Sequence, residues 1–286
     1  MSSLKELKSR IQSVKSTQKI TSAMKMVSSV KLLKAEKAVY NFLSYRETLT
    51  DILRNYLSSQ IVDISPFREI RHVNHVGIVV FSSNSSLCGN YNSNIIKRLE
   101  QSITTHRDVR KEDILIFPIG KKVEDFCKEK NLAIAGEFQN VAAHPNIENT
   151  TQIADTLIQL FLQHKIHRIK VIYFHYVNKT TQIMKAETFL PIEINYRKKG
   201  EFRNDYLIEP SIEEIEQQLI PLALHYHIYT AALEAYASEC AARTLSMQAA
   251  TENAENLLQQ LSLEYNKMRQ ESITNEILDL IGGSLQ

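Results

Sequence analysis

"QKITSAMKMVSSVKLLKAEKA", residues 18–38, is apolar enough to be helical and basic enough to be exposed, yet its apolar side chains do not keep to one side. At 100° per residue, Leu4, Leu7, Ile11 and Val14 share one face of a helix, and Ile20, Met24, Val27 and Val30 lie roughly opposite. Leu33, Tyr40 and Leu43 return to the first side. Two readings fit this pattern: a helix buried from several directions by its own domain, or one that packs on a single internal partner while other proteins surround it. The short side chains of "TSAMKMVSS" (21–29) favour neighbours that come close but interlock little.

Punctuation sets the length of this helix. Of the seven Gly residues none falls in 1–76 or 201–281, and the six Pro residues leave everything before Pro66 and after Pro221 unbroken. Two terminal segments of roughly 60 residues can therefore be continuous helix, about 90 Å long at 1.5 Å per residue. The first is expected from about Ser3 to Ser58. In the last, Tyr236, Cys240, Met247, Ala250, Ala254, Leu257, Leu261 and Met268 follow alternating spacings of three and four, a heptad seam interrupted by Arg243 and Glu264. Its start is predicted in "PSIEEIEQQLI" (210–220), with Ser211 as cap, Glu214 completing a capping box and Pro221 kinking or interrupting the helix.

Between the helices "HVGIVVFS" (75–82), "DILIFPIG" (113–120) and "RIKVIYFHYV" (168–177) are short runs rich in Val, Ile and aromatics, separated by helical stretches at 91–104, 120–130 and 149–164. Strands alternating with helices indicate βαβ units and a mainly parallel sheet. "TQIMKAETFLPI" (181–192) is predicted to pair with the third run as an antiparallel edge hairpin, and "NYRKKGEFRND" (195–205) is a charged linker. The fold class is α/β, a Rossmann-like domain at 61–210 between helices at 1–60 and 211–286. One helix leads in and the other leads out, so side by side they run antiparallel.

Charge supports that pairing. Residues 1–40 carry nine Lys/Arg against Glu6 and Glu36, a local +7, and residues 211–286 carry eleven Asp/Glu against Arg243, Lys267 and Arg269, a local −8. No run of 18 apolar residues and no secretory signal is present, so direct membrane insertion is not expected and the chain is read as starting mature near Met1. Cys88, Cys127 and Cys240 have no CxxC spacing and fit a reducing compartment.

Motifs for chemistry are few. "FSSNSSLCGNYNSN" (81–94) places a Ser/Asn/Gly loop between a strand and a helix, where phosphate loops sit, but holds neither GxxxxGK[ST] nor GxGxxG, and a polar turn capping the next helix is the better reading. Cys88 in that loop lacks a base beside it in sequence. His225 and His227 point apart on a helix; His164 and His167 can share a face, but nothing completes a metal set. The basic first helix has no aromatic platform for nucleic acid, and its charge is matched by the acidic helix. No nucleophile–base set stands out, so no cofactor and no bond chemistry are expected.

Two stretches resemble a known family. "KELKSRIQSVKSTQKITSAMKMVSSVKLLKAE" (5–36) and "YASECAARTLSMQAATENAENLLQQLSLEYNKMRQESITNEILDLIGGSLQ" (236–286) resemble the terminal signatures of the gamma subunit of F-type ATP synthases, with "YNKMRQESITNEILDLIGG" (265–283) particularly specific. "SSNSSLCGNYN" (82–92) departs from it, with Asn84, Ser85 and Ser86 where the family commonly has Asp-Arg-Gly. The resemblance implies a rotor: an antiparallel coiled coil inside an α3β3 hexamer, its α/β domain on the c-ring beside the epsilon subunit, peripheral on the cytoplasmic side of a bacterial inner membrane. It implies that Lys19, Lys25 and Lys31 face acidic loops of the β subunits. It also implies that Met24, Lys25, Arg243, Arg269, Gln270, Thr274 and Glu276 contact β or tie the two helices together, and that Tyr206, Leu207 and Glu209 form the foot on the c-ring and epsilon. Without the resemblance, the alternative is a stand-alone coiled-coil scaffold with an α/β domain.

Overall fold

The run VGIVVF that forms β1 (Val76–Phe81) has every residue buried, which only a strand covered on both faces can satisfy. In the computed structural model, which describes residues 4–58, 66–69, 71–105, 110–192 and 212–284, this strand sits at the centre of a five-stranded sheet. The others are β2 (Ile114–Ile119), β3 (Ala133–Ile134), β4 (Arg168–Tyr176) and β5 (Gln182–Leu190), in the order β3-β2-β1-β4-β5. The first four are mutually parallel, and β5 returns antiparallel to β4, as the alternating pattern and the hairpin predicted.

The helices are α1 (Leu4–Ser58), α2 (Tyr91–Thr105), α3 (Lys121–Glu129), α4 (Gln139–Ala143), α5 (Ile147–Leu162) and α6 (Ile212–Ser284), with short 3-10 turns at Pro66–Arg68 and Lys111–Asp113. By its contacts the chain forms two units, Lys31–Ala242 and the paired ends Met1–Val30 with Arg243–Gln286. In the first unit, α2 and α3 cover one face of the sheet through Tyr91, Ile95, Leu99, Val123 and Cys127. α5 covers the other through Ile153, Leu157 and Phe161, joined by Ile220, Leu224 and Ile228 of α6. Pro221 does not interrupt α6, which runs through it. It costs the helix one N–H donor, but Ile220 and Leu224 beside it are 0% and 5% exposed, and their burial holds the turn in place.

The loop after β1 meets the helix that follows it, where Tyr91 N donates to Cys88 O at 3.3 Å, and it also caps the start of α3. Lys121 N donates to Asn84 Oδ1 at 3.0 Å, Lys122 N to Ser83 O at 3.1 Å and Val123 N to Ser82 Oγ at 3.1 Å, while Glu124 N donates to Gly120 O at 3.4 Å. The orphan donors of Lys121, Lys122 and Val123 are thus satisfied by the loop, and the place where a phosphate would sit is filled by the chain's own oxygens. Gly120, at φ 111°, makes this possible, since a Cβ there would lie 2.2 Å from Ser82 O.

Asn84 also donates from Nδ2 to Gln139 O at 2.8 Å, so it binds the starts of α3 and α4 together. The buried Glu124 joins them a second time, accepting from Lys128 Nζ at 2.5 Å and Gln139 Nε2 at 2.9 Å, and the Lys128 bond holds its carboxyl below the ordinary range. An aspartate at position 84 keeps the bond to Lys121 N but turns a carboxylate oxygen on a carbonyl; asparagine accepts one bond and donates the other. Asn84→Ala is expected to cost about 1–2 kcal/mol, and Asn84→Asp to recover only part of it, read as urea midpoints of the full chain.

Candidate functional site

In the unit formed by the chain ends, the seam is continuous where the sequence suggested interruption. On α1, Leu7, Ile11, Val14, Gln18, Thr21, Lys25 and Ser28 are all buried or half-buried, at alternating spacings of four and three. On α6 the matching line runs through Thr244, Met247, Thr251, Ala254, Leu258, Leu261, Tyr265 and Met268. The expected Met247, Ala254, Leu261 and Met268 lie on this line, and the expected Ala250 and Leu257, both half-buried, flank it beside Thr251 and Leu258; where Arg243 and Glu264 interrupt the expected series, Thr244 and Tyr265 carry it on.

Thr21 Oγ1 lies 2.8 Å from Thr251 Oγ1. Thr21 also reaches Gln18 O at 3.1 Å and Thr251 reaches Met247 O at 2.8 Å, so one hydroxyl donates across the seam while the other donates back to its own helix. Gln18 Nε2 donates to Glu255 Oε1 at 3.0 Å, a second tie between the basic and the acidic helix.

Because the seam takes Gln18, Thr21, Lys25 and Ser28, the bulky apolar residues of this stretch face out. Ile20, Val27 and Val30 are 59%, 58% and 52% exposed, on the side of α1 away from the seam, with Met26 beside them. On α6, Leu263, Ile273, Ile277 and Leu278 are exposed as well. Farther along α1, Leu33 and Tyr40 do not return to the buried side: both are exposed, and Leu32 and Ala35 take the buried positions because the buried line advances by 3.5 residues rather than 3.6. Leu43's side chain lies outside the described residues.

The predicted contact residues divide by place. Met24, Lys25 and Arg243 are half-buried; Lys19, Lys31, Arg269, Gln270, Thr274 and Glu276 are exposed. Thr274 Oγ1 donates back to Gln270 O at 2.9 Å, and Glu276 accepts from Ser272 Oγ at 3.3 Å. Tyr206, Leu207 and Glu209, like the Ser211 cap and the 195–205 linker, lie outside the described residues.

A cavity of about 650 Å³ lies between α1, β5 and α6, lined by Arg46, Tyr173, Lys185, Glu187, Tyr226 and His227 among others. Of its carboxylates, the partly buried Glu187 is engaged by His227, Lys185 and the Tyr173 hydroxyl, and His227 first, then Lys185, pull it down to about 2. Burial and the Glu124 charge push the Cys127 thiol up to about 11, which disarms it as a nucleophile. Cys88 is buried with Asn92 Nδ2 3.1 Å from its sulfur. His225 pairs with Asp155, and the His167 and His75 rings lie 5.5 Å apart at a 52° tilt. Among the described residues no group of three His, Cys, Asp or Glu is placed to hold a metal ion.

What the geometry offers is therefore a surface: a two-helix unit whose seam turns polar between Gln18 and Ser28, with apolar residues of the same stretch facing away from it. The family model described as "ATP synthase" matches residues 3–285. The chain is 47% identical to the ATP synthase gamma chain of Bacteroides fragilis (strain ATCC 25285) and 43% identical to that of Christiangramia forsetii, the first over the whole of both chains and the second over 99% of this chain and 98% of the relative. Among solved structures, a chain of the rotor of Euglena gracilis mitochondrial ATP synthase superposes with a TM-score of 0.63, covering 94% of this chain and 98% of that one at 18% identity. A chain of the Tetrahymena thermophila central stalk and c-ring gives 0.61 at 21% identity, covering 81% of this chain and 99% of that one. Seam, sheet order and full-length identity point the same way, and the chain belongs to the family of ATP synthase gamma chains.

Proposed function

We infer that the chain is the central rotor-stalk subunit of an F-type ATP synthase, coupling ion flow through the membrane c-ring to ATP synthesis and hydrolysis at the β subunits. It carries no catalytic group itself. Its partners are the α and β subunits, the epsilon subunit and the c-ring, and its place is peripheral, on the cytoplasmic side of a bacterial inner membrane. The observation that carries this reading is the outward line of Ile20, Val27 and Val30, more than half exposed while hydroxyls occupy the seam. A helix that buries threonine and serine and exposes isoleucine and valine has its apolar partner elsewhere.

One asymmetric two-helix unit inside a threefold ring presents a different surface to each of three equivalent sites, so each is biased to a different conformation, and rotation exchanges them. Met24, Lys25, Arg243, Arg269, Gln270, Thr274 and Glu276 are assigned to contact with β or to tying the two helices together, Lys25 from its place on the seam, and Tyr206, Leu207 and Glu209 to the foot. Affinity purification of the tagged chain from its own cells is expected to bring down α, β and epsilon with three copies each of α and β per copy of this chain. Recovery of the chain alone, or with an unrelated partner, overturns the reading in favour of a scaffold.

A further inference from the structure

We propose that Glu234 is a positioning residue for torque transfer: its buried carboxylate pins α1 and α6 to the end of β4, so that the sheet and the long helices turn together, an inference that rests on the rotor reading above. Glu234 is 1% exposed. Its Oε1 accepts from Arg46 Nη1 of α1 at 2.5 Å, and its Oε2 lies 2.6 Å from His175 Nδ1 of β4. Each carboxylate oxygen is thus committed to a different element.

The neighbourhood shows why such a bond is needed. Around Glu234, α6 presents Ala231, Ala232, Ala235, Ala237 and Ala241 to its surroundings, all buried. Alanine lets helix and sheet approach closely but offers less to interlock than the Leu224 and Ile228 buried farther back on α6, so dispersion alone opposes a slide weakly here. Directional bonds oppose it. Three consecutive residues at the end of β4 each reach a long helix: Phe174 O accepts from Ser238 Oγ at 3.1 Å, His175 meets Glu234, and the Tyr176 hydroxyl donates to Glu36 of α1. Glu234 is the member of this row that also reaches α1 through Arg46, and it is charged, so its bonds are stronger than the neutral Ser238 bond.

The test uses the intact complex in inside-out membrane vesicles, comparing ATP hydrolysis with ATP-driven membrane potential from a potential-sensitive dye, which serves for either coupling ion. A charge-assisted hydrogen bond lost from the anchor shifts the balance between held and slipped helices by roughly tenfold, so Glu234→Gln is expected to lower ion uptake per ATP at least about threefold while hydrolysis by assembled complex stays within about twofold of wild type. Arg46→Gln is expected to act in the same direction and Arg46→Lys, which keeps a cation, to restore much of the ratio. A ratio equal to wild type in both Gln variants overturns the proposal, as does failure of both to assemble, since the triad is then only structural. Absence of α and β from the wild-type preparation is a failure of the rotor reading itself, seen before any variant is made.

Discussion

Aspartate placed at both Ile20 and Val27 is expected to leave the unfolding free energy of the chain within about 0.5 kcal/mol of wild type while cutting its incorporation into an ATPase-active complex by about a hundredfold or more. The two side chains are 59% and 58% exposed, so nothing within the chain loses a contact and solvent accommodates the charges. Inside an enclosing ring those carboxylates have to be desolvated against apolar neighbours. Thr21→Asp is the contrasting control. That position is 9% exposed and opposite Thr251, so the charge falls in the seam, and the chain itself is expected to lose about 3 kcal/mol or more. Circular dichroism melts and the ATPase yield of reconstituted complex separate the two. Loss of stability in the outward pair, or full assembly despite it, shows that this side of α1 has no apolar partner.

Gly120→Ala is expected to cost more than about 4 kcal/mol and to leave little folded chain at growth temperature. At φ 111° a side chain is strained whatever the space, and here the new Cβ falls 2.2 Å from the carbonyl oxygen of Ser82. That carbonyl has no room to swing. Ser82 N donates to Ile119 O at 2.7 Å and Lys122 N donates to Ser83 O at 3.1 Å, fixing the peptide from both sides. Relief requires opening the contact between β1 and the start of α3, which also releases the bonds from Lys121 N and Val123 N. Equilibrium urea unfolding of the full chain reads the loss, and a shift under about 1 kcal/mol shows that the loop yields more easily than its bonds indicate.

The central sheet was legible because its strands are buried on both faces and read as unbroken apolar runs; VGIVVF leaves no other reading. β3 was not, since Ala133–Ile134 is two residues long and sits among Asn, Gly and Glu, without the length that separates a strand from a loop. The long helices were legible from what they lack, Gly and Pro. The seam of α6 was read without Thr244 and Thr251 for a physical reason: a search for apolar side chains passes over them, yet a hydroxyl that bonds its own helix, as Thr251 does to Met247 O, costs little to bury. The same bias made Leu33 and Tyr40 look like core. Pro221 was expected to break α6 because local propensity counts the missing donor and does not see Ile220 and Leu224 buried on either side. Asn84 drew notice only as a departure; that it accepts from one helix and donates to another is a fact of geometry no spacing encodes.

A buried line repeating every seven residues, from Leu7 to Ser28 on one helix and from Thr244 to Met268 on the other, obliges the pair to wind about each other in a left-handed sense. Such a rope is not symmetric under twist. Turned one way it tightens and presses Thr21 onto Thr251; turned the other way it slackens and draws them apart. Synthesis and hydrolysis spin the stalk in opposite senses, so the same two strands present a stiffer spring in one mode than in the other.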